Sequence, residues 1–287
     1  MKKKNLLLLV PITLSAALFL GYRAWDGIQT DKTPPQISIA EESLQVSVSA
    51  PKSALLKGVT AQDNQDGDVT DSLLVEKISM VDGDGTIEVS IAAFDGSGNV
   101  SKILRTARYT DYQGPRFSLN HSLTFAYGSN FDLLATIDAT DPLDGNIQHR
   151  IRATSLDNTA VNSVGNHEVE FRVTNSLGDT VRMTLPVTVY AADAYGLELD
   201  LKNYLVYLKP GSSFDADHYL YAVSRGLNSV SLTDGIPSNY SIRTSGEVNT
   251  SRPGVYPVDY TVTYIQPTVD GTQYISGIAR LIVIVEG

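Results

Sequence analysis

The chain has 287 residues, no cysteine and a formal net charge of −10. That length suffices for two or three ordinary domains, and the lack of cysteine excludes disulfide staples, thiolate zinc sites, a cysteine nucleophile and an acylated-cysteine lipoprotein anchor. Four basic residues and no acid fall within residues 1–25, so the rest carries 18 basic against 32 acidic residues, a balance that favours solubility and argues against binding a phosphate backbone.

Residues 1–25 open with Lys2-Lys3-Lys4 and continue as an uncharged run over residues 6–22. Seventeen residues is near the short limit for crossing a bilayer. No Ala-x-Ala cleavage site follows the run, which leads into Tyr22-Arg23-Ala24-Trp25. The expectation is an uncleaved signal anchor, one transmembrane helix whose basic flank stays in the cytoplasm and whose remainder lies outside. A cleaved secretory signal is the alternative, and it changes attachment rather than compartment. Residues 26–35 form a polar linker ending in Thr33-Pro34-Pro35, a stiff polyproline-like lead.

From residue 36 apolar and polar residues alternate with a period near two, as in Ile37 and Ile39, Leu44, Val46 and Val48, and Ile87, Val89 and Ile91. This is the pattern of half-buried strands. The stretch 61–72 recurs seventy-eight residues later: Asp63 is answered by Asp141, Asp66-Gly67 by Asp144-Gly145, Asp68 by Asn146, Val69 by Ile147 and Leu73 by Ile151. One unit has been copied. Each copy ends in a hairpin signature, at 85–109 around Gly96-Ser97-Gly98-Asn99 and at 165–190 around Ser176-Leu177-Gly178-Asp179. A third signature spans 254–285, with a longer loop expected around Pro267 and Gly271. Gly128-Ser129-Asn130-Phe131-Asp132 is echoed by Gly211-Ser212-Ser213-Phe214-Asp215.

Three terminal hairpins predict three modules, at 36–112, 113–191 and 193–287, the last divergent. Links of a few residues near 112–115 and 191–193 imply that neighbours touch. Beyond the N-terminal segment no helical period is sustained, although 219–225 suits a turn of helix. Short strands at even spacing, bounded by Gly, Pro, Asn and Asp, predict an all-β chain of tandem antiparallel β-sandwiches.

The first module joins Asp-Gly-Asp-Val-Thr at 66–70 to Gly85 and to Asp-x-Ser-Gly-Asn at 95–99. This combination resembles bacterial immunoglobulin-like domains of the kind found in insecticidal crystal toxins and Gram-positive surface proteins. The second module departs from the pattern at 175–179, and the third keeps Asp234-Gly235, Gly254 and the start at 211–215. The resemblance covers roughly residues 33–286. It implies Ig-like sandwiches, a surface location, work as a spacer or binding module, and no catalysis.

Among candidate sites the acidic loops stand first. Asp63, Asp66 and Asp68, with Asp71, and in the second module Asp141 and Asp144, with Asp138 and Asn146, offer hard oxygens that suit calcium, the one cofactor considered. The spacing is not that of an EF-hand, because Leu74 stands where the closing Glu would be. The competing reading has these side chains accept turn amides while Gly67 and Gly145 supply positive φ. In the third module Ser231 stands where the first acid would be. A second candidate is a tyrosine face on that module, Tyr219, Tyr221, Tyr256 and Tyr260, which could stack on sugars or meet a protein. Strand propensity alone would also explain those tyrosines.

The four histidines, His121, His149, His167 and His218, lie in separate segments without metal-hydrolase spacing. No nucleophile elbow or phosphate loop is present, so no catalytic residue is assigned. The expected function is that of a non-catalytic, single-pass membrane protein whose extracellular modules present a distal binding or adhesion domain. Its partners would be the membrane and a cell-envelope or host protein or glycan, with no nucleic acid. A spacer or scaffold subunit of an envelope assembly is the second reading, and an envelope hydrolase the third.

Overall fold

The computed structural model describes residues 11, 13–22, 31–41, 43–80, 83–156, 161 and 163–287, and the chain divides into two compact units, 1–112 and 113–287. In the first unit β1 (Gln36–Ile39), β3 (Val59–Asp63) and β4 (Gly67–Asp68) form an antiparallel sheet in the order β1-β3-β4. A four-stranded sheet pairs β2 (Leu44–Val46), β7 (Val100–Tyr109), β6 (Thr86–Phe94) and β5 (Leu74–Met80) in the order β2-β7-β6-β5, with β2 parallel to β7. Period-two alternation decides which face is buried. Ile87, Val89 and Ile91 are completely enclosed while Glu88 between them is exposed. Val59 and Ala61 supply the buried face of the smaller sheet. Arg105 of β7 is also buried, and its guanidinium donates to the carbonyls of Leu55 at 3.2 Å, Lys57 at 2.6 Å and Glu41 at 3.2 Å. It fastens the loop around residues 52–57 to the main sheet.

The second unit repeats the plan twice. Strands β8 (Arg116–Leu119), β10 (Ile137–Asp141) and β11 (Gly145–Asn146) make one sheet. Opposite them, β12 (Arg152–Ser155), β13 (Gly165–Thr174), β14 (Thr180–Tyr190) and β9 (Thr124–Ala126) pair in that order. In the third module β15 (Glu198–Leu201), β17 (Leu220–Arg225) and β18 (Asn228–Ser231) form the small sheet, and β16 (Leu205–Leu208), β21 (Gly271–Val285), β20 (Gly254–Thr268) and β19 (Tyr240–Ser245) the large one. A short strand lies parallel to the last long strand in all three modules: β2 on β7, β9 on β14, β16 on β21. The chain is therefore all-β, built of Ig-like sandwiches. The internal repeat has a literal backbone counterpart, Val69 N donating to Ala61 O at 3.0 Å and Ile147 N to Ala139 O at 2.8 Å.

Two local expectations change in the third module. Only residues 216–219 make a helical turn, of 3-10 type, and 220–225 is strand β17. Burial of Leu220, Ala222 and Val223 against the core outweighs the weak helical preference. The loop expected around Pro267 and Gly271 is a tight turn, because β20 and β21 stay paired out to Thr268 and Gly271.

The cores of the second and third modules merge into one hydrophobic cluster that includes Phe117, Phe171 and Leu185 together with Tyr260, Leu281 and Ile282. Polar bonds stitch the seam. Tyr207 Oη meets the backbone of Phe117 twice, accepting from its N–H at 3.1 Å and donating to its carbonyl at 3.2 Å. Arg116 stacks 4.8 Å above the Tyr207 ring and pairs with Glu286. Arg280 is 9% exposed; its guanidinium binds both carboxylate oxygens of Asp259 and reaches Pro186 O at 3.2 Å and Thr188 Oγ1 at 3.0 Å. Its amide donates to Ser122 Oγ at 2.8 Å.

At the N-terminus residues 11 and 13–22 are helical, with Leu14, Leu18, Phe19 and Leu20 each more than 60% exposed. No helix among the described residues is long and apolar enough to cross a membrane. The rest of the expected anchor and linker, residues 1–10, 12 and 23–30, lies outside the described residues.

Replacing Arg280 by Ala removes its side-chain bonds to Pro186 and Thr188 across the seam. Arg280→Ala is expected to destabilise residues 113–287 by about 2–3 kcal/mol and to leave the melting of 1–112 unchanged, as calorimetry of the full chain would report.

Candidate metal centre and binding face

Asp63 ends β3, and the turn after it is built on its carboxylate. Oδ1 accepts the amides of Gln65 at 2.8 Å and Asp66 at 2.9 Å, and Gly67, at φ +74°, completes the reversal that a side chain would resist. Asp66 Oδ2 accepts the amide of Gly96 at 2.7 Å and so ties this turn to the β6–β7 turn. Asp68 is spent locally, with Oδ1 on the amide of Thr70 at 3.0 Å. The hydroxyl and amide of Thr70 hold its carboxyl below the usual range.

The carboxylate of Asp63 meets two others from elsewhere. Asp31, five residues before β1, and Asp95, directly after β6, each place a carboxylate oxygen so that all three lie within 4.8 Å of one another. Asp31 is 5% exposed and Asp63 and Asp95 are each 9% exposed. Asp31 Oδ1 accepts the amide of Thr33 at 3.0 Å. Asp95 accepts the amide of Asn99 at 2.8 Å and its side-chain Nδ2 at 2.6 Å. The same Nδ2 donates to Asp31 O at 3.1 Å and joins the lead-in segment to the turn. Burial disfavours the charge on Asp95, but the side chain and amide of Asn99, with the amides of Ser97 and Gly98, outweigh it and hold the carboxyl below its ordinary value. Asp31 Oδ2 and Asp63 Oδ2 are buried and have no hydrogen-bond partner among the described residues.

In the second module the acids are consumed internally. Asp141 Oδ1 accepts the amides of Leu143 at 2.8 Å and Asp144 at 3.2 Å, and Oδ2 accepts Asn175 Nδ2 at 3.1 Å. Asp144 accepts the amide and the hydroxyl of Ser176, each at 2.6 Å, and Arg150 Nη1 at 2.6 Å. Of the acids read as calcium ligands, Asp63 alone joins the cluster; Asp66, Asp68, Asp141 and Asp144 are turn and loop acceptors. Asp31 and Asp95 escaped the sequence reading because one lies in the linker and the other in a hairpin turn. The Asp-x-Ser-Gly-Asn motif was the available signal for Asp95. In the third module Arg225, not Ser231, ends the corresponding strand, pairing with Asn228 as Asp63 pairs with Gly67.

The four chosen tyrosines do not share an exposed face. Tyr260 is completely buried and donates to Ala216 O at 2.8 Å, and burial pushes its hydroxyl pKa up. Tyr256 lies on the same inward face of β20 and donates to Arg252 O at 2.8 Å. Tyr219 is half-buried and stacked on Phe214 at 5.8 Å, and only Tyr221, on the other sheet, is exposed. An open groove lies instead on the outer face of β19, β20 and β21, lined by Ser241, Arg243, Thr261, Thr263, Ile265 and Tyr274. Tyr274 is 67% exposed and pairs across the ribbon with Ile265.

No family model matches the chain. Over 171 residues, 58% of its length, it is 29% identical to an uncharacterised 81.3 kDa protein of Acholeplasma phage L2, and it spans 22% of that protein. Among solved structures it is similar to mouse cadherin-23 EC22-24, at a TM-score of 0.22 and 13% identity over 88% of this chain and 99% of that one. Similarity extends to the protocadherin GammaB4 extracellular domain, at a TM-score of 0.21 and 9% identity over 89% and 50% of the two chains. It extends also to the CBM51-2 and INT domains of Clostridium perfringens ZmpB, at a TM-score of 0.22 and 14% identity over 87% and 44%.

Burial opposes the charge on Asp144, but the hydroxyl and amide of Ser176 and the charge of Arg150 outweigh it and set the folded pKa below the ordinary Asp value. Its stabilisation is therefore full above the unfolded pKa of about 4 and is lost as pH falls through the depressed value. Asp144→Asn is expected to cost residues 113–287 about 1–3 kcal/mol at pH 7 and to flatten the decline in their stability below pH 4, measured by denaturant melts across pH.

Proposed function

We propose that the chain is a non-catalytic, membrane-anchored extracellular protein of the bacterial Ig-like type, whose third module presents a binding face to a cell-envelope or host glycan or protein. The observation that carries this reading is the outer face of β19, β20 and β21, where an exposed tyrosine, a guanidinium and three hydroxyls line one groove. An aromatic ring offers an apolar surface for the CH face of a sugar or for a peptide side chain, and the hydroxyls and Arg243 offer directional hydrogen bonds. Such a set binds by stacking and hydrogen bonding and calls for no nucleophile. The exposed leucines and phenylalanine of the N-terminal helix support the anchor. With the basic Lys2-Lys3-Lys4 before them, they suit insertion with the modules outside. The merged core of residues 113–287 supports a spacer or scaffold role as the second reading, because a stiff body transmits position.

Two measurements on the full chain test the proposal. The chain is expected to stay with membranes through alkaline extraction while protease added outside intact cells digests residues 31–287. On an array of cell-surface glycans and envelope proteins, Tyr274→Ala and Arg243→Ala are each expected to weaken binding at least about tenfold, the effect of losing one central contact. Recovery of the chain from the cytosol, or binding indifferent to both substitutions, would overturn it.

A further inference from the structure

We propose that Asp31, Asp63 and Asp95 together hold one divalent cation, calcium, which pins the segment leading into the first sandwich to two of its turns. The inference stands whether or not the N-terminal helix is an anchor. Oxygens that share a calcium at about 2.4 Å can lie no farther apart than about 4.8 Å, and the three carboxylates meet that limit. Two of their oxygens, Asp31 Oδ2 and Asp63 Oδ2, are buried without a hydrogen-bond partner among the described residues, on side chains 5% and 9% exposed. Burying an unpaired carboxylate oxygen is costly, and placing two beside a third acid adds repulsion. A cation removes both penalties at once.

The second module is an internal control. Asn175 directly follows β13, as Asp95 directly follows β6. Its Nδ2 donates to Asp141 Oδ2, the oxygen that matches the unpartnered one of Asp63. Where the loop residue is an amide, the strand-end acid is satisfied by a proton donor; where it is a carboxylate, no donor replaces it. The third module has a built-in positive charge, Arg225, at the strand end. The first two modules thus answer one electrostatic problem in two ways, and among the described residues only the first gathers three carboxylates.

The donor chemistry selects the ion. All three side chains are hard carboxylates, without histidine or cysteine, which excludes the usual zinc set. They arrive from three separate segments, and calcium accepts such irregular, carboxylate-rich surroundings and completes its shell with water. Magnesium demands a near-regular octahedron at shorter distance and gives up its waters reluctantly.

Melting of the full chain after exhaustive chelation, with and without added calcium chloride, provides the test. Calcium well above its dissociation constant is expected to raise the midpoint of the 1–112 transition by at least about 5 °C while that of 113–287 stays put. Calorimetric titration is expected to give one site per chain. Asp95→Asn, whose side-chain amide is placed to donate to Asp63 as Asn175 donates to Asp141, should no longer respond to calcium. That variant is expected to keep a cooperative 1–112 transition in chelator, so a failure to fold cannot account for its lost response. No calcium shift in the native chain, or an unchanged calcium response in Asp95→Asn, would overturn the site. An equal shift with magnesium chloride would overturn the assignment to calcium.

Discussion

A carboxylate at the end of a buried strand must find partners for two oxygens, and that requirement shapes one end of the first two sandwiches. In both, one oxygen is spent on the amides of the next turn, Asp63 on Gln65 and Asp66, Asp141 on Leu143 and Asp144. The other, in the second module, meets the loop that joins the two longest strands, and in the first module that loop brings a carboxylate close to Asp63. What that loop carries, Asp95 or Asn175, decides whether the strand end closes on a hydrogen bond or on a nest of negative charge. The same loops are laced together by Asp66 on Gly96 and by Asp144 on Ser176, so the two sheets of each sandwich are joined at this end by acids rather than by apolar packing.

The second and third modules show a different use of polar groups. Their cores form one cluster, and the seam contains an arginine whose donors are nearly all occupied. A buried guanidinium is tolerated only when its fork is filled, and filling it fixes the two modules in one register. Tyr207 acts similarly on the backbone of Phe117, spending one hydroxyl on a donor and an acceptor of the same residue. Residues 113–287 therefore fold as one body although the sequence is organised as two modules.

The third module departs most from the repeat, and the departure creates its surface. Where the first two modules close their long hairpin with a five-residue turn, β20 and β21 run on as a paired ribbon to Thr268 and Gly271. Tyr264 falls where Asp95 and Asn175 stand, so the polar lacing of the other modules is missing and an aromatic pair with Tyr240 at 5.0 Å takes its place. The outward face of the added ribbon carries Ile265 and Tyr274, and with Ser241 and Arg243 of the neighbouring strand it forms the groove.

Periodicity, glycine positions and internal repetition are local properties, and the sequence by itself determined what depends on them: an all-β chain, the long hairpins, and the turns at Gly67 and Gly145 with their positive φ. It also offered, as the competing reading to calcium, that the acids of the repeat serve turn amides, a bond between near neighbours. Which acids meet across the molecule was decided only by tertiary structure, because Asp31, Asp63 and Asp95 come from a linker, a strand end and a hairpin turn, and no spacing rule links them. Side-chain facing was decided there too. Tyr256 and Tyr260 alternate outward as plausibly as inward until the register of β20 against β21 and the merged core fix the face that is buried.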